Sequence, residues 1–226
     1  MAAATMNIEQ ARFNMIQQQI RPWEVLDPDV LDLLAIVKRE DFVPAAHKDL
    51  AFADVEIPLK ENGKASQIML APKIEARMLQ ALGIRNTDKV LEIGAGSGFM
   101  AALLAAKAEF VYTVEIDPEL VDTARSNLKQ AGVANVSVDL GDAAQGWPLY
   151  TPYDAIVVSG SMPALPESLL KQLKIGGRLI AIVGEAPVME MQLVTRTEED
   201  AFNTVVVLET VVAALENTAQ RDKFVF

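Results

Sequence analysis

The chain has 226 residues, 51% of them hydrophobic, and a formal net charge of −11; that length and apolar content fill a sizeable core and exclude global disorder, while the acidic balance works against binding a phosphate backbone, so no nucleic-acid partner is expected. The absence of cysteine removes disulfides, a thiol nucleophile and thiolate metal ligands, and no metal site is expected. No apolar run reaches the roughly 18 residues of a membrane span, and the first twenty residues lack the basic start and apolar middle of a secretory signal, so the expectation is a cytoplasmic protein with no membrane partner.

Residues 7–20 carry Ile8, Ala11, Met15 and Ile16 at helical spacing, and Arg21-Pro22 stops that helix. Asp27-Pro28 opens a second helix, with Asp27 as cap and Pro28 at its first position; Lys38-Arg39 then suits the negative end of its dipole. Residues 42–64 contain Pro44, Pro58 and Gly63 and read as loop with one short strand. Residues 72–82 form a third helix. From Lys89 the texture changes to short apolar strands alternating with helices. Strands are expected at 90–93, 110–115, 136–139, 155–159 and 178–183, with helices at 99–107, 118–131 and 166–173. That alternation implies a parallel sheet wrapped by helices. Residues 191–195 and 204–212 close the sheet as an antiparallel edge hairpin, with Glu198-Glu199-Asp200 in the turn, and a polar stretch follows before Phe224-Val225-Phe226. One domain over residues 1–226 is expected, with a helical and loop extension over 1–84 and an α/β core over 85–226.

The sharpest chemical signal is Val90-Leu91-Glu92-Ile93-Gly94-Ala95-Gly96-Ser97-Gly98. A buried strand runs into a glycine-rich turn that opens a helix. Glycine permits positive φ and a close approach of backbone to ligand, and the helix start adds free N–H groups. Dinucleotide enzymes place a third small residue where this chain has Phe99, and Glu92 would repel a pyrophosphate but attract a cationic ligand. About twenty residues on, Val114-Glu115-Ile116-Asp117 ends the next strand with an acid that can accept from ribose hydroxyls, which fits NAD and S-adenosylmethionine alike. Gly141-Asp142-Ala143 offers a carboxylate to an adenine amino group. Tyr153-Asp154-Ala155-Ile156-Val157-Val158 enters the sheet centre, and Gly176-Gly177 reads as a helix stop turning into the next strand.

In this order the motifs resemble the series of the class I S-adenosylmethionine-dependent methyltransferases. Ile36-Val37-Lys38-Arg39-Glu40-Asp41-Phe42-Val43-Pro44, residues 54–59, Gly141-Asp142 with Gly146-Trp147-Pro148, and residues 166–177 narrow the resemblance to the protein-L-isoaspartate O-methyltransferase family, over roughly residues 15–184. The resemblance implies a Rossmann-like α/β fold, mostly parallel with an antiparallel edge hairpin, behind N-terminal helices. It implies S-adenosylmethionine as cofactor, with S-adenosylhomocysteine as product. Glu92, Gly94, Ala95, Gly96 and Gly98 would take the methionine side. Glu115 and Ile116 would take the ribose, Asp142 and Ala143 the adenine, and Ser159 would lie near the transferring methyl. The implied partner is an isoaspartyl protein or peptide, or another carboxylate acceptor.

One stretch departs from the family. Its Thr-Ile-Ser-Gln-Pro run, whose hydroxyls lie at the reaction centre, aligns with Ile68-Met69-Leu70-Ala71-Pro72, so Leu70 stands in the serine's place and only a shifted loop would bring Ser66-Gln67 there. No catalytic side chain is assigned, and His47, the sole histidine, reads as a surface or packing residue. A carboxylate is already ionised at neutral pH, so alignment and water exclusion supply most of the catalysis. The alternatives are a methyltransferase with another acceptor and a non-catalytic cofactor-binding module; a nicotinamide oxidoreductase ranks last because of Phe99.

Overall fold

The structure, a computed structural model, describes residues 7–218; the first six residues and the closing Phe224-Val225-Phe226 lie outside the described residues. Helix α1 (Ile8–Asn14) opens where the Asn7 side chain accepts the Gln10 N–H, and it continues as π-helical turns, Met15–Ile20, that bury Met15, Ile16 and Ile20. Arg21-Pro22 does not stop the chain at once. A 3-10 turn, Arg21–Trp23, carries it to Glu24, whose φ of 61° ends the helix. Helix α2 (Pro28–Ile36) starts as predicted, with the Asp27 carboxylate accepting the Asp29 N–H.

The end of α2 differs from expectation. Val37 is already extended, and Arg39 lies in a separate 3-10 turn, Arg39–Asp41, with its side chain buried. The expected pairing of Lys38-Arg39 with the dipole of α2 is therefore not formed. Arg39 instead meets the Glu75 carboxylate, a full opposite charge in place of a partial one. Next come a 3-10 segment, Ala45–Leu50, and a small hairpin of β1 (Ile57–Pro58) with β2 (Ile68–Met69). Helix α3 (Pro72–Leu82) spans its predicted residues and ends on Gly83 at φ +55°.

The core follows as β3 (Lys89–Ile93), α4 (Phe99–Ala105), β4 (Phe110–Glu115), α5 (Pro118–Gln130), β5 (Val136–Leu140) and β6 (Tyr153–Met162), then α6 (Glu167–Leu170), β7 (Leu173–Glu185), β8 (Val188–Glu198) and β9 (Ala201–Glu209). Seven of these strands form one sheet in the order β5-β4-β3-β6-β7-β8-β9. Pairing is parallel from β5 to β7 and antiparallel from β7 to β9, the architecture the sequence pattern implies. Every residue of α4 is buried, which is why this helix carries no polar face. Among the described residues, no helix is long and apolar enough to cross a membrane.

Three expectations need correction near the C-terminus. The helix expected over 166–173 is a single turn, because Leu173 already pairs with Tyr153. Gly176-Gly177 is a bulge inside β7 and not a helix stop: pairing jumps from Tyr153↔Leu173 to Ala155↔Arg178, with Gly176 at φ +81°. The last strand ends at Glu209, short of the expected residue 212. Residues 210–218 leave the sheet edge and return across the end of β6, where the Ser161 N–H donates to the Ala213 carbonyl (3.1 Å) and the Leu215 N–H to the Ser161 carbonyl (2.9 Å). From β3 the chain steps outward to β4 and β5, then crosses back to β6 on the other side of β3. The C-terminal ends of β3, β4 and β6 thus meet at a topological switch point, where open α/β sheets leave a crevice.

Candidate functional site

The glycine turn after β3 needs its glycines. Gly94, Gly96 and Gly98 have φ of 91°, 52° and 86°, values that cost a side-chain-bearing residue. The N–H groups of Gly94 and Ala95 donate to the Val114 carbonyl at 2.8 and 3.3 Å, which ties the turn to β4. A Cβ on Gly96 would lie 3.0 Å from Leu59, and one on Gly94 would lie 3.3 Å from Leu215. Gly98 corrects the sequence expectation. A Cβ there would face Leu128 and the Ala124 carbonyl of α5 at 3.1 and 3.3 Å, so Gly98 seats α4 against α5 and does not line the cleft.

A cleft opens over this turn. Of the residues singled out from the sequence, Gly94, Gly96, Glu115, Ile116, Asp142, Ala143 and Ser159 line it, and the hairpin loop adds Ser66 and Gln67. Glu92, Ala95 and Leu70 lie elsewhere, in a smaller rear chamber with Met69, Glu75 and Phe99. Gly94, Gly96, Ile68 and Ser159 border both spaces. His47 lines neither.

Three carboxyls define the electrostatics. Glu115 bridges the glycine turn and the end of β4: one oxygen accepts the Gly96 N–H (2.9 Å), the other the Ile116 and Asp117 N–H groups (2.9 and 3.0 Å). A carboxylate offers about four acceptor directions, so Glu115 keeps room for a ligand hydroxyl. Asp142 caps its own turn, accepting the Ala144 N–H (2.9 Å) and the Asn217 side-chain amide (2.8 Å). That turn is closed by Trp147, whose ring covers Gly141 and whose Nε1–H donates to Asp139 (3.2 Å). Glu92 is fully buried and accepts the hydroxyls of Thr113 (2.6 Å) and Ser159 (2.8 Å). Burial pushes its carboxyl up to about 8; the two hydroxyls pull it down, and the charges of Glu75 and Glu115 add to the rise.

The hairpin loop closes over the cleft. Gln67 donates to Asp117 (2.6 Å) and accepts the Lys64 N–H (2.9 Å), while Lys60 bridges Asp117 and Glu119 at 3.1 and 2.6 Å. Lys64 pairs with Glu216 from the returning C-terminal segment. Gln67 is thus committed to the loop's own anchorage, and Ser66 is the loop hydroxyl on the cleft wall. Leu70 is buried behind it, its carbonyl accepting from Arg39 (2.7 Å).

Thr113 and Leu215-Glu216-Asn217 were not singled out from the sequence. Thr113 leaves a signal: it is a small polar residue between apolar neighbours in its strand, and register puts it opposite Glu92. The C-terminal trio leaves none, since only the tertiary path brings it to the cleft.

Comparison with known proteins adds an independent line. The family model described as protein-L-isoaspartate(D-aspartate) O-methyltransferase matches residues 10–220. The chain is 44% identical over 189 residues to a protein-L-isoaspartate O-methyltransferase of Rhodopseudomonas palustris, covering 83% of this chain and 85% of that one. It is 40% identical over 192 residues to one from Syntrophus aciditrophicus, covering 85% and 86%. Among solved structures, a Plasmodium falciparum chain assigned to the same activity and crystallised with S-adenosyl-L-homocysteine superposes with a TM-score of 0.76 at 18% identity, covering 95% of this chain and 100% of that one. At that identity the likeness establishes the fold.

Proposed function

The chain belongs to the protein-L-isoaspartate(D-aspartate) O-methyltransferase family, and from that premise we propose that it transfers a methyl group from S-adenosylmethionine to the free carboxylate of isoaspartyl residues in proteins or peptides. The observation that carries the reading is the bridge from Glu115 to the Gly96 N–H at the switch point of the sheet. It sets a hydroxyl acceptor beside a turn whose glycines present bare backbone.

The residues present fit the cofactor. The positive-φ glycines leave a cradle that a Cβ would fill, and the acids around it suit a ligand carrying cationic groups. Glu115 and Ile116 would hold the ribose, Asp142 and Ala143 the adenine, and Gly94, Ala95 and Gly96 the methionine side, with Glu92 and Ser159 behind them. When bound, the cofactor supplies an activated methyl on a sulfonium. The acceptor carboxylate is ionised without help, so this chain's own residues need no general base. Their work is to orient and to exclude water: the hairpin loop, latched by Gln67 and Lys60 to Asp117, covers the cleft, and Leu59 and Ile68 line its inner side.

A second reading keeps the cofactor and changes the acceptor. It is favoured by Ile68 and the buried Leu70, which stand where the family resemblance implies hydroxyls. Incubation with methyl-labelled cofactor and aged protein separates the readings. Label lost in mild base as methanol marks a carboxyl ester and supports the proposal. Base-stable label marks an N-, S- or ether-linked methyl and supports the second reading. No label, in protein shown to bind the cofactor, overturns both.

A further inference from the structure

We infer that Arg39 is a positioning residue for methyl transfer, because its guanidinium holds the backbone of the acceptor-side loop at Leu70 in register with the cofactor site. The inference rests on the proposed function for its catalytic consequence and on geometry for the rest. Arg39 comes from the turn after α2, far in sequence from either partner, and its side chain is buried. The planar fork divides its work. One terminal nitrogen pairs with the Glu75 carboxylate of α3, and the other donates to the Leu70 carbonyl at 2.7 Å. The guanidinium carbon lies 5.2 Å from the ring centre of Phe99, the first residue of the helix that the glycine turn opens. One side chain therefore joins the acceptor loop, α3 and the cofactor helix.

A folding role alone does not account for this arrangement. A buried ion pair is weak evidence for stability, since desolvation offsets the attraction, and an apolar pair would fill the same space. What an apolar pair cannot supply is a donor to the Leu70 carbonyl. Leu70 sits between the end of β2 and Pro72, outside both strand and helix. Leu70 and Glu75 also wall the rear chamber together with Glu92 and Ser159, so the point that Arg39 holds is a point on that wall. Lysine, a single point charge without the fork, cannot serve both partners in the same geometry.

Two variants test this. Arg39→Met combined with Glu75→Leu removes both charges and leaves neither buried alone. Arg39→Lys keeps the charge pair and carries the test if the double variant does not fold. The first readout is hydrogen exchange at the amides of residues 68–71 in the ligand-free protein, expected to speed up at least tenfold while exchange in β3 and β6 stays as in the parent. The second is methyl transfer, expected to lose about tenfold or more in kcat with KM for the cofactor unchanged within about twofold. Unchanged exchange at 68–71 with unchanged kcat, in a variant of parental thermal stability, would overturn the inference and reduce Arg39 to a packing pair. If the parent protein methylates no isoaspartyl peptide, that counts against the proposed function, and the exchange measurement alone decides the role of Arg39.

Discussion

Glu92→Gln should uncouple cofactor binding from proton release. Glu92 is sealed in the rear chamber between Thr113 and Ser159, and burial raises its carboxyl to about 8, so it is mostly neutral at pH 7 in the free protein. A cationic ligand favours the ionised form. If the cofactor binds only that form, the dissociation constant is multiplied by one plus ten to the power of pKa minus pH. The factor is about 11 at pH 7, about 2 at pH 8 and about 1.1 at pH 9. The ligand's own α-amino group titrates near 7.7–8.0 and works in the opposite sense, so the informative quantity is the ratio of parent to variant. That ratio should fall about tenfold between pH 7 and pH 9. Calorimetry at pH 7 in two buffers of different ionisation enthalpy should find about 0.9 proton more released by the parent than by the variant. Equal proton counts and a pH-independent ratio would refute the reasoning. Stability carries the same signature. The folded-state pKa lies above the ordinary 4.5, so the stability linked to Glu92 is intact below that value and is lost as pH rises through about 8. The variant should therefore melt above the parent at pH 9, and the gap should close toward pH 5.

Thr113→Val removes one of the two hydroxyls that favour the ionised carboxylate, and the midpoint of the parent's binding profile should move to higher pH; a shift downward contradicts the assignment. Gly96→Val places a side chain at φ +52° against Leu59, and should cost about 1–2 kcal/mol of stability for the backbone alone and at least tenfold in cofactor affinity by calorimetry. Unchanged affinity would remove the glycine turn from the site. Leu70→Ser with Ile68→Thr should raise transfer to an isoaspartyl peptide if the missing hydroxyls limit the reaction, at a stability cost of about 2–4 kcal/mol for truncating a buried leucine. No gain with unchanged cofactor affinity counts against Leu70 as the limiting difference.

The elements legible in the sequence were those whose cause is local. The strands from β3 to β5, the capped start of α2 and the positive-φ turn at Gly94 and Gly96 follow from periodicity and from glycine's freedom, and Glu115 and Asp142 follow from their places at or just after strand ends, whereas Ser159, expected to end its strand, lies inside a longer β6. Distant partners decided the rest. Arg39 has a local reading at the end of α2, and its buried partner Glu75 lies 36 residues away. Gly98 continues the glycine pattern but, as the cap residue of α4, faces α5, where a Cβ would meet Leu128 and the Ala124 carbonyl. The helix expected at 166–173 gave way because Leu173 is recruited to the sheet. The crossing of Leu215-Glu216-Asn217 over the cleft has no local pattern; it depends on Ser161 capturing a segment that has left the edge strand.

The most direct measurement is transfer of labelled methyl from S-adenosylmethionine to an isoaspartyl peptide, beside the same peptide with a normal aspartyl residue. The account predicts base-labile label on the isoaspartyl peptide and none on its partner, lost in Gly96→Val. Equal labelling of both peptides, or none from protein that binds the cofactor, would contradict it.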